Sequence, residues 1–151
     1  MTNKNWKIKD CQTWQSFLLP KLLYNQKQIF VYLKKQKGNK LELLEVKKSK
    51  FYSQAYSVQS KEEIEKILED LQKEHKKATH ICYAYVLPNT AKFCDDGEPS
   101  GTAGRPIFNV LEKKKLQNTL IVVIRYFGGV KLGAGGLTRA YSKSASIATQ
   151  G

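Results

Sequence analysis

Apolar and polar positions alternate along the chain with two different periods, and the switches between them mark the elements. Phe51–Val58 alternates aromatic or apolar with polar residues, the period of two that sends successive side chains to opposite faces of a strand. From Ile64 the period changes. Ile64, Ile67, Leu68 and Leu71 fall at i, i+3, i+4 and i+7, one face of a helix that runs to about His75. Ahead of it, Ser60-Lys61-Glu62-Glu63 is a capping box. Its serine accepts from the Glu63 backbone N–H, and the Glu63 carboxylate reaches back to the Ser60 N–H. Thr79–Leu87, rich in Tyr, Val and Ile and closed by Pro88, reads as a second strand. Asn89 opens a turn and Phe93 a short strand. Thr102–Lys115 reads as a helix after a Gly/Pro-rich loop, with Ile107, Phe108, Val110 and Leu111 on its apolar side. Leu120–Ile124 (LIVVI) is a continuous apolar run, as in a strand buried on both faces. Five glycines lie within Gly128–Gly136, and a last helix follows with Leu137, Ala140, Tyr141, Ala145 and Ala148 at core spacing.

The first 46 residues are less regular. Trp14, Leu18 and Leu22 are spaced as on a helix that Pro20 interrupts. Gln28–Leu33 (QIFVYL) reads as a strand, Lys37-Gly38-Asn39 as a turn, and Leu41–Val46 as the returning strand of a hairpin. The chain therefore divides into a lysine-rich extension, 1–46, and a domain, 47–151. Strands interleaved with helices indicate an α/β fold of the α+β sandwich kind, with a mixed sheet and helices packed on one face.

Composition narrows the setting. Hydrophobic residues make up 41% of the 151, enough for a core. No stretch approaches the roughly 20 apolar residues that span a bilayer, and Met1–Asp10 lacks an apolar signal region. A cytoplasmic protein without a membrane partner is expected. Three cysteines, Cys11, Cys82 and Cys94, are odd in number and irregularly spaced. They read as reduced thiols packed as small hydrophobes, not as a disulfide framework. The formal charge is +13, and residues 1–50 hold 12 Lys against three acids. Clustered positive charge favours phosphate backbones or anionic surfaces. A general bias to lysine, 23 against three arginines, accounts for the same excess without any partner.

Two segments carry candidate chemistry. Arg125–Tyr141 is a strand end, a glycine-rich loop and a helix start. Glycines admit close approach to backbone N–H groups, and the helix start adds unpaired N–H groups and the positive end of its dipole. With Arg125, Lys131 and Arg139 alongside Gly133, Gly135 and Gly136, the loop is a candidate site for phosphate or a nucleic-acid backbone. It matches neither of the common nucleotide-binding glycine patterns. Asp95, Asp96 and Glu98 form an acidic turn. Those carboxylates could hold Mg²⁺, supply charge to the following helix, or pair with the basic residues of the second loop and shape a shared groove. His80, Arg105 and Tyr126 are supporting candidates, and Tyr126 and Phe127 could stack on a base if exposed. His80 with Cys82 and Cys94 falls short of a zinc set, and no orienting group for a Cys/His nucleophile is visible. No metal site and no cofactor are expected, and no catalytic residue is assigned.

The runs ATHICYAY from Ala78, DDGEPSGTAGRP from Asp95 and RYFGGVKLGAGGLTRAY from Arg125, with Lys50-Phe51 at the start, resemble the YigZ/IMPACT family over residues 47–151. The resemblance implies a β/α fold like the second domain of a small-subunit ribosomal protein, shared by RNA-binding parts of the translation machinery. Eukaryotic IMPACT proteins regulate translation by opposing activation of an initiation-factor kinase. The implied role is a translation-associated regulatory module that binds RNA or the ribosome. An enzyme acting on a small phosphorylated or peptide substrate and a protein–protein adaptor for a regulatory partner stay open as alternatives. Bacterial members continue into a second, smaller ferredoxin-like domain, which the sequence to Gly151 does not include. That end is either natural or a truncation. Residues 1–46 have no counterpart in the resemblance.

Overall fold

The structure is a computed structural model that describes residues 40–150. The helix expected around Trp14–Leu22, the strand Gln28–Leu33 and the turn Lys37-Gly38-Asn39 lie outside the described residues. Five strands and three helices follow in the order β1 (Glu42–Val46), β2 (Ser49–Ser57), α1 (Lys61–Glu74), β3 (His80–Leu87), β4 (Thr90–Cys94), α2 (Gly104–Lys113), β5 (Thr119–Tyr126) and α3 (Gly133–Ala148). They form one sheet of order β1-β2-β5-β3-β4. The fold is α+β.

Two details of the expected sheet change. Every hydrogen-bonded pair of strands is antiparallel, where a mixed sheet was expected. The connection β2–α1–β3 does leave β2 and β3 running the same way. The last strand, β5, fills the gap between them and opposes both, so the βαβ unit is split. The helices also cover both faces of the sheet. On one face α1 packs Ile64, Ile67, Leu68 and Leu71 against Tyr56, Ile81, Tyr83, Leu120, Val122 and Ile124. On the other, α2 and α3 pack Ile107, Leu111, Leu137, Tyr141 and Ala145 against Phe51, Cys82, Ala84, Ile121 and Val123. The apolar run of β5 serves both layers. Leu120, Val122 and Ile124 point one way and Ile121 and Val123 the other, so no position in that run can be polar.

Most local signals are followed. Ser60 accepts from the Glu63 N–H at 3.3 Å. The reciprocal half of the box moves by one residue, because the Glu63 carboxylate accepts from Gln59 N at 2.6 Å. Leu41–Val46 becomes strand β1, and among the described residues its partner is β2. The two meet through a two-residue turn, Lys47-Lys48, with φ of 47° and 67°. Positive φ at both central positions defines the type I′ hairpin turn.

Candidate functional site

Three strands present their ends together at one edge of the molecule. The register aligns His80 of β3 with Arg125 of β5 and Lys50 of β2 with Tyr126 of β5. Odd positions on β5 face α2 and α3, so Arg125 enters that layer, where it is 5% exposed. A guanidinium there requires a carboxylate, and the acidic turn supplies one. Glu98 Oε1 accepts from Arg125 Nη1 at 2.6 Å and from the Tyr141 hydroxyl of α3 at 2.7 Å. His80 Nε2 lies 3.7 Å from Glu98 Oε2. Its Nδ1 donates to the Asp96 carbonyl at 2.7 Å, so Nε2 carries a proton only when the ring is charged. The Arg125 guanidinium also lies between two rings, 5.6 Å from the Phe51 centroid and 5.5 Å from that of Phe127. Its Nε has no hydrogen-bond partner among the described residues.

The other two carboxylates are used locally. Asp95 accepts from the backbone N–H groups of Gly101, Ala103 and Gly104 at 3.0, 3.2 and 2.7 Å. It caps α2, whose own N-cap residue, Ala103, has no side chain able to do so. Asp96 is buried and accepts from Ile81 N at 2.6 Å through Oδ2. The acidic turn is thus an internal fastening between α2, β3, β5 and α3. Among the described residues no group of His, Cys, Asp and Glu is arranged to hold a metal ion. Cys82 is free and buried. Burial pushes its thiol well above the ordinary value, with Asp96, Glu98 and Asp95 adding to the shift and the hydrogen bond between Cys82 Sγ and the Tyr141 hydroxyl opposing it. A thiol held protonated is no nucleophile.

The basic loop behaves differently. Gly128 crosses the β1–β2 turn, and a Cβ there would stand 2.1 Å from the Lys48 carbonyl carbon and oxygen. Its N–H donates to Ser49 Oγ at 3.2 Å. The glycine stretch was expected to precede the last helix; instead α3 begins inside it, at Gly133, whose φ of +73° turns the chain into the helix. Among the described residues no side chain caps the N-terminus of α3, and its first turn holds no acidic residue. Gly133, Ala134, Gly135, Lys131 and Arg139 are all exposed there, while Gly136 is half-buried against Leu132.

Several candidates therefore separate. Lys131, Gly133, Gly135 and Arg139 share one exposed surface. Arg125 was expected to contact phosphate beside them, but its charge is spent on Glu98 inside the protein. Tyr126 turns to the α1 face, where its hydroxyl meets His75 Nδ1 at 2.7 Å and its ring packs edge-on against Tyr52. Phe127, one residue on, is 48% exposed. Arg105 is exposed on α2 and lies over Phe93 and Phe108. Tyr141 was read only as a core position; its hydroxyl is a full member of the buried network, which helical spacing alone does not reveal.

Comparison with known proteins covers the same part of the chain. The model of the Impact N-terminal domain matches residues 47–149. IMPACT family member YvyE of Bacillus subtilis is 49% identical over 104 residues, covering 67% of this chain and 48% of that protein. IMPACT family member YigZ of Escherichia coli is 39% identical over 102 residues, covering 64% and 50%. A solved structure of a hypothetical protein superposes with a TM-score of 0.68 at 35% identity, over 72% of this chain and 55% of that one. The chain spans about half the length of the curated relatives it matches.

Proposed function

The chain belongs to the Impact N-terminal domain family, and from that premise we propose that its domain is a translation-associated binding module. Its contact surface is the exposed basic glycine loop, and its ligand the phosphate backbone of RNA, free or within the ribosome. Family membership supports the link to translation, since eukaryotic IMPACT proteins regulate it, and supports action in the cytoplasm. One observation carries the choice of surface. The two helix N-termini on this layer differ: Asp95 fills that of α2, whereas that of α3 is uncapped, exposed and flanked by Lys131 and Arg139. An open helix N-terminus with cations beside it favours an oxyanion. The carboxylates that an enzymatic reading would use are occupied by protein donors.

The test is an RNA titration of the full chain across salt concentrations. Lys131→Ala is expected to weaken binding and to lower the slope of log affinity against log salt by about 0.7 if the ligand is single-stranded. Affinity and slope equal to those of the wild type would sink the proposal.

A further inference from the structure

We propose that this surface extends past the glycine loop to a platform for single-stranded RNA, centred on Phe127 and flanked by two lysine pairs, Lys47-Lys48 and Lys76-Lys77. The inference rests on the reading above and names its ligand class. It begins with topology. Strand β5 ends at Tyr126, and its two neighbours, β2 and β3, begin beside that end. Lys47 and Lys48 immediately precede β2; Lys76 and Lys77 lie in the turn after α1, separated from the start of β3 by Ala78 and Thr79. All four are exposed, and none forms an ion pair among the described residues. An antiparallel sheet with β5 in the middle therefore sets one lysine pair on either side of the residue that follows β5, which is Phe127.

Contacts fix these segments to one another. On one side Gly128 lies against the Lys48 backbone and donates to Ser49 Oγ. On the other, Phe127 N donates to Thr79 Oγ1 at 2.9 Å, and Thr79 N donates to the Arg125 carbonyl at 2.8 Å. Arg125 supports the Phe127 ring from the protein side, and the ring is about half exposed to solvent. An exposed ring held in place between cations is the arrangement that binds unpaired bases, by stacking on the ring and charge on the backbone either side. In an A-form duplex the bases are stacked inside the helix and out of reach of such a ring.

The turn between β1 and β2 gives a second observation. Both of its central positions have positive φ, where asparagine and glycine are favoured, yet both are lysine. Local rules are broken in this way where a surface serves something other than folding. It also yields a variant that cannot fail merely by unfolding, because Lys47→Asn with Lys48→Gly places the preferred turn residues at a strained turn.

The experiment measures thermal midpoint and affinity for a labelled single-stranded oligoribonucleotide, using the full chain. Lys47→Asn/Lys48→Gly is expected to keep or raise the midpoint, to weaken binding, and to lower the salt slope by about 0.7 for each phosphate that the protein no longer neutralises. Phe127→Ala is expected to weaken binding on the order of tenfold with an unchanged slope. Wild-type affinity and slope in the double variant would overturn the platform, as would equal affinity for a duplex of the same length. If Lys131→Ala weakens binding while these variants do not, the platform fails and the glycine-loop reading stands. If all three variants bind like the wild type, both fail.

Discussion

Arg125 sits among a carboxylate, two aromatic rings and a serine hydroxyl, and that setting decides what each residue of the network does. Glu98 balances its charge, and Tyr141 completes the remaining demand of the same carboxylate oxygen. Burial is the largest cause pushing the Tyr141 phenol well above its ordinary 10.0, with Cys82 and Glu98 contributing. The sign of the pH dependence follows. An unfolded chain loses this proton near pH 10 while the folded one keeps it, so above that pH the unfolded state binds fewer protons and stability falls as pH rises. The Cys82 thiol acts in the same direction from its ordinary 9.0. Tyr141→Phe is expected to cost about 1.5–3 kcal/mol at neutral pH, the worth of a hydrogen bond to a charged group. Its decline above pH 10 should be shallower than that of the wild type. Urea unfolding at a series of pH values measures both, and parallel declines would show that the phenol is not the group responsible.

At the scale of elements, the glycine loop and the β1–β2 turn are one unit held by the crossing at Gly128. Gly128→Ala forces a Cβ onto the Lys48 backbone and is expected to cost about 1–3 kcal/mol, as overpacking does. At Gly135, in the first turn of α3, an added Cβ would come no closer than 4.0 Å to the Arg139 side chain. Gly135→Ala should leave stability unchanged or raise it, since alanine favours helix over glycine. Denaturant midpoints of the two variants compare the positions directly; an equal loss at both would contradict the crossing. Much at this scale was legible in the chain. The helical period gave α1, the continuous apolar run gave β5, the capping serine gave the start of α1, and charge for the following helix was one of three readings of the acidic turn. Two things were not legible. Lysines at both centres of a type I′ turn carry no local signal for a turn. The start of α3 within its glycines depends on the positive φ of Gly133 and the burial of Leu132. The partner of Arg125 was among several readings of the acidic turn, because choosing Glu98 over Asp95 or Asp96 requires knowing which carboxylate faces α3.

At the scale of the described residues, the carboxylates of the acidic turn lie deeper than the lysines around it. Asp96 and Glu98 are buried with their partners, Asp95 is tied to the start of α2, and the lysines around the end of β5 are exposed. No helix among the described residues is long and apolar enough to cross a membrane. On the proposed reading, the buried Arg125–Glu98–Tyr141 network sets the geometry and the basic rim makes the contact with a polyanion. The two parts can be separated in a single assay. Asp96→Asn keeps an acceptor for Ile81 N and suits the positive φ of 44° at that position, so it alters the acidic turn without removing its support. The most direct measurement is a single-stranded RNA titration of the full chain at low and moderate salt, comparing the wild type, Lys131→Ala/Arg139→Ala and Asp96→Asn. The account predicts that the basic double variant loses affinity and about 1.4 of the salt slope while Asp96→Asn follows the wild type. Wild-type binding in the basic variant, or loss of binding confined to Asp96→Asn, would contradict it.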